Sequence, residues 1–270
     1  MIGVFDSGFG GLTILKSFLE KLPEYDYVFL GDNARAPYGN RSFETVYQYT
    51  LQAVRKLFSF GCPLVILACN TASAKALRTI QQNDLPEINP QNRVLGIIRP
   101  TAEVINRYTK TKKTGILGTA GTVNSGSYIL EIQKLYPEIK VFQQACPMLV
   151  PLVENGEIDN PAADYFTRKY SSLLLRQCPE IDAIILGCTH YPLLINSFKK
   201  VLDKKITLIP QNEIVAESLK DYLLRHKEMD ERLSKNSTVR FLTTDDSKVF
   251  DERAAFFLGK NIKSETIEIF

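Results

Sequence analysis

Leu64-Val65-Ile66-Leu67-Ala68-Cys69-Asn70-Thr71-Ala72-Ser73 is an unbroken apolar run that stops at a thiol and passes through two polar residues into a helix-forming segment. Pro63 stands just before it, so the run reads as a strand over Leu64 to Ala68, apolar throughout as a strand covered on both faces must be. The same order returns at Ile184-Ile185-Leu186-Gly187-Cys188-Thr189-His190. A second pair repeats the pattern without the thiol. Gly3-Val4-Phe5-Asp6-Ser7 matches Gly115-Ile116-Leu117-Gly118-Thr119, each strand ending in a small hydroxyl residue. The two offsets, 112 and 119 residues, nearly agree, which implies two α/β halves related by an approximate two-fold.

Outward from these runs the chain alternates short Val- and Ile-rich stretches with longer amphipathic ones, the mark of strands joined by crossover helices. Strands are expected at Ile2 to Phe5, Tyr27 to Leu30, Leu64 to Ala68, Val94 to Ile98, Thr114 to Leu117, Lys140 to Phe142, Ala183 to Leu186 and Ile206 to Ile209. Helices fit between and after them, at Leu12 to Lys21, Phe43 to Phe58, Ala72 to Gln82, Thr101 to Tyr108, Ser125 to Leu135, Ala162 to Gln177, Leu193 to Leu202 and Ile214 to His226. Their apolar residues recur at three- and four-residue spacing, as in Leu12, Leu15, Leu19 and Leu22. The expected fold class is α/β: two pseudo-symmetric open parallel-sheet domains, one discontinuous over 1–95 plus 208–270 and one over 96–207. Ligands of open α/β sheets bind beyond the carboxyl ends of the strands. Both cysteine turns lie at such ends, on opposite walls of one cleft.

Composition narrows the function classes. The 270 residues are 44% hydrophobic and 23% charged, with a net charge of +3, and the basic residues are scattered among acidic ones, so the positive stripe of a nucleic-acid binder is missing. No stretch approaches the roughly 18 apolar residues of a membrane span. The first residues enter an apolar strand without the pattern of a secretory signal, so a soluble, cytoplasmic protein is expected. Five cysteines without a C-x-x-C spacing suggest free thiols rather than a disulfide framework or a zinc ribbon.

Cys69 and Cys188 each follow an apolar strand and precede a helix start, where backbone N–H groups and the helix dipole favour a thiolate. Cys62, Cys146 and Cys178 each stand directly before a proline and read as buried small hydrophobes. Asp6-Ser7-Gly8-Phe9-Gly10-Gly11 also joins a strand to a helix, but it completes neither G-x-G-x-x-G nor a Gly-Lys-Ser/Thr phosphate loop. It serves equally as a turn with an Asp cap or as a cradle of N–H groups for a small anion or zwitterion. Pro37-Tyr38-Gly39 lies in the polar loop after the second strand. His190, two residues beyond Cys188, lacks the further ligands of a metal site and fits a proton-transfer partner or a satisfied helix-start residue.

These motifs, in order, resemble those of the glutamate racemases, within the wider aspartate/glutamate racemase family. The resemblance is carried by residues 3 to 13, by Gly31-Asp32-Asn33-Ala34-Arg35-Ala36-Pro37-Tyr38-Gly39, by Ala68-Cys69-Asn70-Thr71-Ala72-Ser73-Ala74 and by Gly187-Cys188-Thr189-His190-Tyr191-Pro192-Leu193. Gly118-Thr119-Ala120-Gly121-Thr122 and Pro151-Leu152-Val153-Glu154 resemble family segments less specifically. The family often has Ile-Asp-Ser-Gly where this chain has Ile209-Pro210-Gln211-Asn212-Glu213, so no site residue is carried over there.

The resemblance implies 1,1-proton transfer with no pyridoxal or other cofactor and no metal. One thiolate removes the α-proton and the opposing thiol protonates the other face. In the family the thiol matching Cys69 deprotonates the D-isomer and the one matching Cys188 the L-isomer. Asp6 and His190 join the two thiols as catalytic candidates. Asp6, Ser7, Tyr38, Gly39, Asn70, Thr71, Thr119, Thr189 and His190 are the substrate-binding candidates, with Glu154 a further tuning group. The resemblance also implies D-glutamate supply for peptidoglycan and a homodimer. Racemisation of aspartate by the same thiols, and a non-catalytic two-lobed protein binding a small acidic ligand, are the rival readings.

Overall fold

The computed structural model describes residues 1–269; Phe270, the last residue of the expected first domain, lies outside the described residues. Ten strands form two parallel sheets: β1 (Ile2–Asp6), β2 (Tyr27–Gly31), β3 (Leu64–Leu67), β4 (Arg93–Gly96), β5 (Lys113–Gly118), β6 (Lys140–Ala145), β7 (Ala183–Gly187), β8 (Thr207–Ile209), β9 (Val239–Thr243) and β10 (Ser264–Thr266). One sheet runs β10-β9-β2-β1-β3-β4 and the other β6-β5-β7-β8. Without β9 and β10 the two orders are the same, and the repeat seen in sequence is a repeat in space. Gly3 pairs with Val65 across β1 and β3, and Gly115 with Ile184 across β5 and β7.

β1, β2, β3 and β7 are buried along their whole length, which is why they read as continuous apolar runs. Helix Leu12–Lys21 packs its buried Leu12, Ile14, Leu15 and Phe18 beside helix Asn212–Arg225, so the returning chain is anchored on the first sheet. The chain crosses between sheets after β4 and comes back after β8. Among the described residues no helix is long and apolar enough to span a membrane.

Two helices differ from expectation for local reasons. The one expected over Ala72 to Gln82 is broken: an α-helix at Asn70–Lys75 gives way beyond Ala76, and the turn widens to π geometry over Ile80–Asp84. A short α-helical turn, Leu85–Ile88, follows with Pro86 in its first turn, where a missing N–H is tolerated. The helix expected from Ser125 is two, Ala120–Ser125 and Ser127–Leu135, hinged at Gly126 with φ +66°, a left-handed conformation that glycine adopts without strain. Strands β9 and β10 and helix Ser247–Leu258, capped by the Asp246 carboxylate, extend the first sheet beyond what periodicity suggested.

Candidate active site

Four strands, two from each sheet, point their carboxyl ends at one region. β1 ends in Asp6 and the glycine turn, β3 in Cys69, β5 in Thr119 and β7 in Cys188. The contacts cross between halves as a two-fold requires. The β1 turn meets the β7 turn so closely that a Cβ on Gly10 would stand 2.2 Å from Thr189 Oγ1 and 2.4 Å from His190 Nδ1. The β3 turn meets the β5 turn, where the Thr71 and Thr119 hydroxyls share a hydrogen bond of 2.9 Å. Gly121 N donates to Gly39 O at 2.8 Å, bringing the Tyr38-Gly39 loop onto the second half. The turns close over the thiols, and each cysteine is only 6% exposed. A cavity of about 640 Å³ opens elsewhere, between Ser73, Leu95, Arg78 and Leu219, and neither thiol lines it.

Cys69 is the N-cap of helix Asn70–Lys75. Its sulfur accepts from Ala72 N at 3.5 Å and lies 3.4 Å from Ser7 Oγ. Sequence placement alone favoured a thiolate here; burial outweighs it. Burial, joined by the nearby Asp6 carboxyl, pushes the Cys69 thiol up to about 12 despite both hydrogen bonds. Asp6 itself is raised from the usual carboxylate range by burial. Its Oδ2 accepts from Gly8 N at 3.0 Å, and the Gly8 and Gly11 backbone N–H groups favour the carboxylate without overcoming burial.

Cys188 has different company. Its sulfur is 3.7 Å from His190 Nδ1, and His190 Nε2 is 3.1 Å from Glu154 Oε1. Burial opposes an imidazolium, but the bonds to Cys188 and Glu154 prevail and hold His190 up to about 10. A charged imidazole is thus a charge-assisted donor toward the sulfur. Thr13 Oγ1 donates to Thr189 O at 3.1 Å and so ties this turn to the first half. Electrostatic influence runs between the two thiols themselves.

The other candidates divide. Asn70, Thr71 and Thr189 are buried within the two cysteine turns and Thr119 caps the helix beyond β5. Tyr38 is buried beside the Cys69 turn, but its hydroxyl donates to Asp32 Oδ2, which also accepts from Arg35 Nε at 2.7 Å. The Tyr38 ring packs between those of Phe5 and Tyr49, at centroid distances of 6.2 and 5.8 Å. Cys62, Cys146 and Cys178 are free and buried. Cys62 is pushed up to about 11 by burial. Two residues that sequence reading did not single out lie behind Asn70. Tyr128 Oη donates to Asn70 Oδ1 at 2.7 Å, and Asn70 Nδ2 donates to Gln211 Oε1 at 2.9 Å.

One half thus carries a thiol beside a hydroxyl and an N–H, and the other a thiol beside an imidazole–carboxylate pair, in a two-domain α/β protein. Comparison with known proteins makes the class specific. The family model described as Asp/Glu/Hydantoin racemase matches residues 10–219, and the chain belongs to that family. A glutamate racemase from Sulfurihydrogenibium sp. is 38% identical over 269 residues, covering 99% of this chain and 97% of the relative. Among solved structures, a glutamate racemase isoform from Bacillus anthracis superposes with a TM-score of 0.89 at 35% identity, over 99% of this chain and 97% of that one. The Francisella tularensis glutamate racemase in complex with D-glutamate gives 0.88 at 32% identity, with the same coverage.

Proposed function

We propose that this protein interconverts L- and D-glutamate by proton transfer between Cys69 and Cys188, in a cleft between a lobe of 1–95 plus 208–270 and a lobe of 96–207. The observation that carries the reading is the pairing of two thiols at equivalent strand ends, each with its own proton-handling partner. The choice of glutamate rests on full-length similarity to relatives named glutamate racemase.

In the L-to-D direction Cys188 as thiolate takes the α-proton, and the electron pair left on the α-carbon delocalises into the carboxylate. The Cys69 thiol then delivers its proton to the opposite face. One proton leaves the substrate and one enters; the sulfurs end with exchanged protonation states and reset through solvent. A raised Cys69 suits the donor in this direction. In reverse, the Cys69 thiolate is served by Ser7 Oγ–H and Ala72 N–H, while His190, held charged by Glu154, returns a proton toward Cys188. The hydroxyls of Thr71, Thr119 and Thr189 and the Asn70 amide are donors for the carboxylates, and Asp6 accepts from the ammonium group. Enclosure strengthens each of these contacts. The product serves peptidoglycan synthesis in the cytoplasm, and the working form is a homodimer.

The test is deuterium uptake from solvent into the α-position, followed with each glutamate enantiomer and with L-aspartate. Uptake is expected with both glutamates and lost in Cys69→Ala and Cys188→Ala. No uptake by the wild type would leave a binding protein; equal or faster turnover of aspartate would overturn the substrate.

A further inference from the structure

Gln211 sits where the chain returns from the second sheet, between β8 and helix Asn212–Arg225, and is 2% exposed. The two hydrogens of its Nε2 are shared among three acceptors, Ile97 O at 3.2 Å, Thr101 Oγ1 at 2.9 Å and Tyr128 Oη at 2.6 Å. Ile97 lies in the outgoing crossover just after β4. Gln211 therefore ties the two inter-sheet connections to each other and to Asn70.

The proton arithmetic fixes every orientation. The Ile97 carbonyl can only accept, so the NH₂ end of Gln211 must face it; reversing the amide would set two acceptors against each other. With that end pinned, Oε1 faces Asn70 and accepts from its Nδ2. Tyr128 Oη receives a Gln211 hydrogen, so its own proton goes to Asn70 Oδ1. Both ends of the Asn70 amide are thereby set, and among the described residues only one of its two N–H bonds is used.

We infer that Gln211 is a positioning residue: it orients the Asn70 amide next to Cys69, directly and through Tyr128, so that the remaining Asn70 N–H is aimed at a substrate carboxylate. The inference rests on the racemase reading above. A buried polar ring of this kind has value when complete, because a missing member leaves the others unpaired and free to rotate.

The experiment compares full-length wild type with Gln211→Leu, Asn70→Ala and the double variant, using α-deuterium uptake over long incubations to resolve slow rates and thermal melting to establish folding. Gln211→Leu is expected to lower kcat/KM about 10- to 100-fold for both enantiomers, mostly through KM, since a carboxylate donor is misplaced while both thiols remain. In the Asn70→Ala background the same substitution is expected to change kcat/KM less than twofold. An unchanged Gln211→Leu enzyme overturns the inference. So does an equal loss in both backgrounds, which marks a merely structural residue. Should Gln211→Leu not fold, Tyr128→Phe replaces it in the same cycle with the same criteria. Failure of the wild type to exchange deuterium would instead remove the racemase reading itself.

Discussion

Gly10→Ala adds one methyl group at the tightest contact between the two halves. That Cβ would stand 2.2 Å from Thr189 Oγ1, 2.4 Å from His190 Nδ1 and 2.6 Å from His190 Cε1. Ordinary contact needs about 1 Å more. His190 cannot swing aside freely, because Nδ1 faces Cys188 and Nε2 faces Glu154. Thr189 is pinned through its carbonyl by Thr13. The strain must then be relieved by moving the β7 turn, and Cys188 with it, away from the β1 turn. Overpacking of this kind costs about 1–3 kcal/mol, and an error of about 1 Å in the position of a reacting group can cost on the order of 100-fold in rate. The expected result is a folded protein with a melting temperature lowered by a few degrees and kcat reduced by about 100-fold in both directions. The assay is circular dichroism of glutamate from each enantiomer, beside a thermal melt. Wild-type kcat in a folded Gly10→Ala protein would refute the claim that this approach holds the second thiol in register.

His190 gives a pH prediction. Its folded value of about 10 lies above the ordinary 6.5, so its contribution to stability is fully present below about pH 6.5 and is lost as pH rises through about 10. Denaturation midpoints of wild type and His190→Asn should converge across that window; a constant difference would contradict the ion-pair account. Glu154→Gln removes one of the two groups that hold the imidazole charged, so kcat from D-glutamate, the direction in which His190 returns a proton toward Cys188, is expected to fall about 10- to 100-fold, with a smaller fall from L-glutamate. Equal losses in both directions would detach Glu154 from the Cys188 side. Cys62→Ala, far from either turn and fully buried, should cost about 1 kcal/mol of stability and leave both rates unchanged, as read by the same assay and melt.

Most of the sheet framework was legible because the strands with both faces covered, β1, β2, β3 and β7, read as continuous apolar runs, and the other expected strands fell between amphipathic helical stretches. The last two strands were not. β9 interrupts its apolar residues with Arg240, which pairs with Glu265 across to β10, and β10 is Ser-Glu-Thr, with no apolar residue at all. Both are strands because β2 leaves an open edge to pair with, a non-local cause. The site divided in the same way. Cys69, Cys188 and the residues beside them were marked by local turn chemistry. Tyr128 and Gln211 were not, since a tyrosine in an amphipathic helix reads as core and a glutamine in a polar connection reads as solvent-facing. Only the crossing of the two inter-sheet connections makes them neighbours.

The repeat also explains why the support around the thiols differs. A doubled fold sets two sulfurs in equivalent places, which a carbon attacked from two faces requires. The rest of glutamate is not symmetric about that carbon: an ammonium group, a carboxylate and a longer acidic arm must each find a fixed partner. One half therefore offers a buried carboxyl and a hydroxyl at Asp6 and Ser7, where the other offers Gly118 and Thr119. The proton-handling group missing from the second half is supplied after its thiol instead, as His190 backed by Glu154 from a separate helix, Leu149–Glu154. Two bases in unlike surroundings can still run one reversible reaction, because each acts as acid in one direction and base in the other. In the proposed mechanism Asp6 and His190 set the balance between them, and substitutions at those two positions should change kcat unequally for the two directions, with KM changing in compensation so that kcat/KM stays equal for the two enantiomers, as an equilibrium constant of one requires.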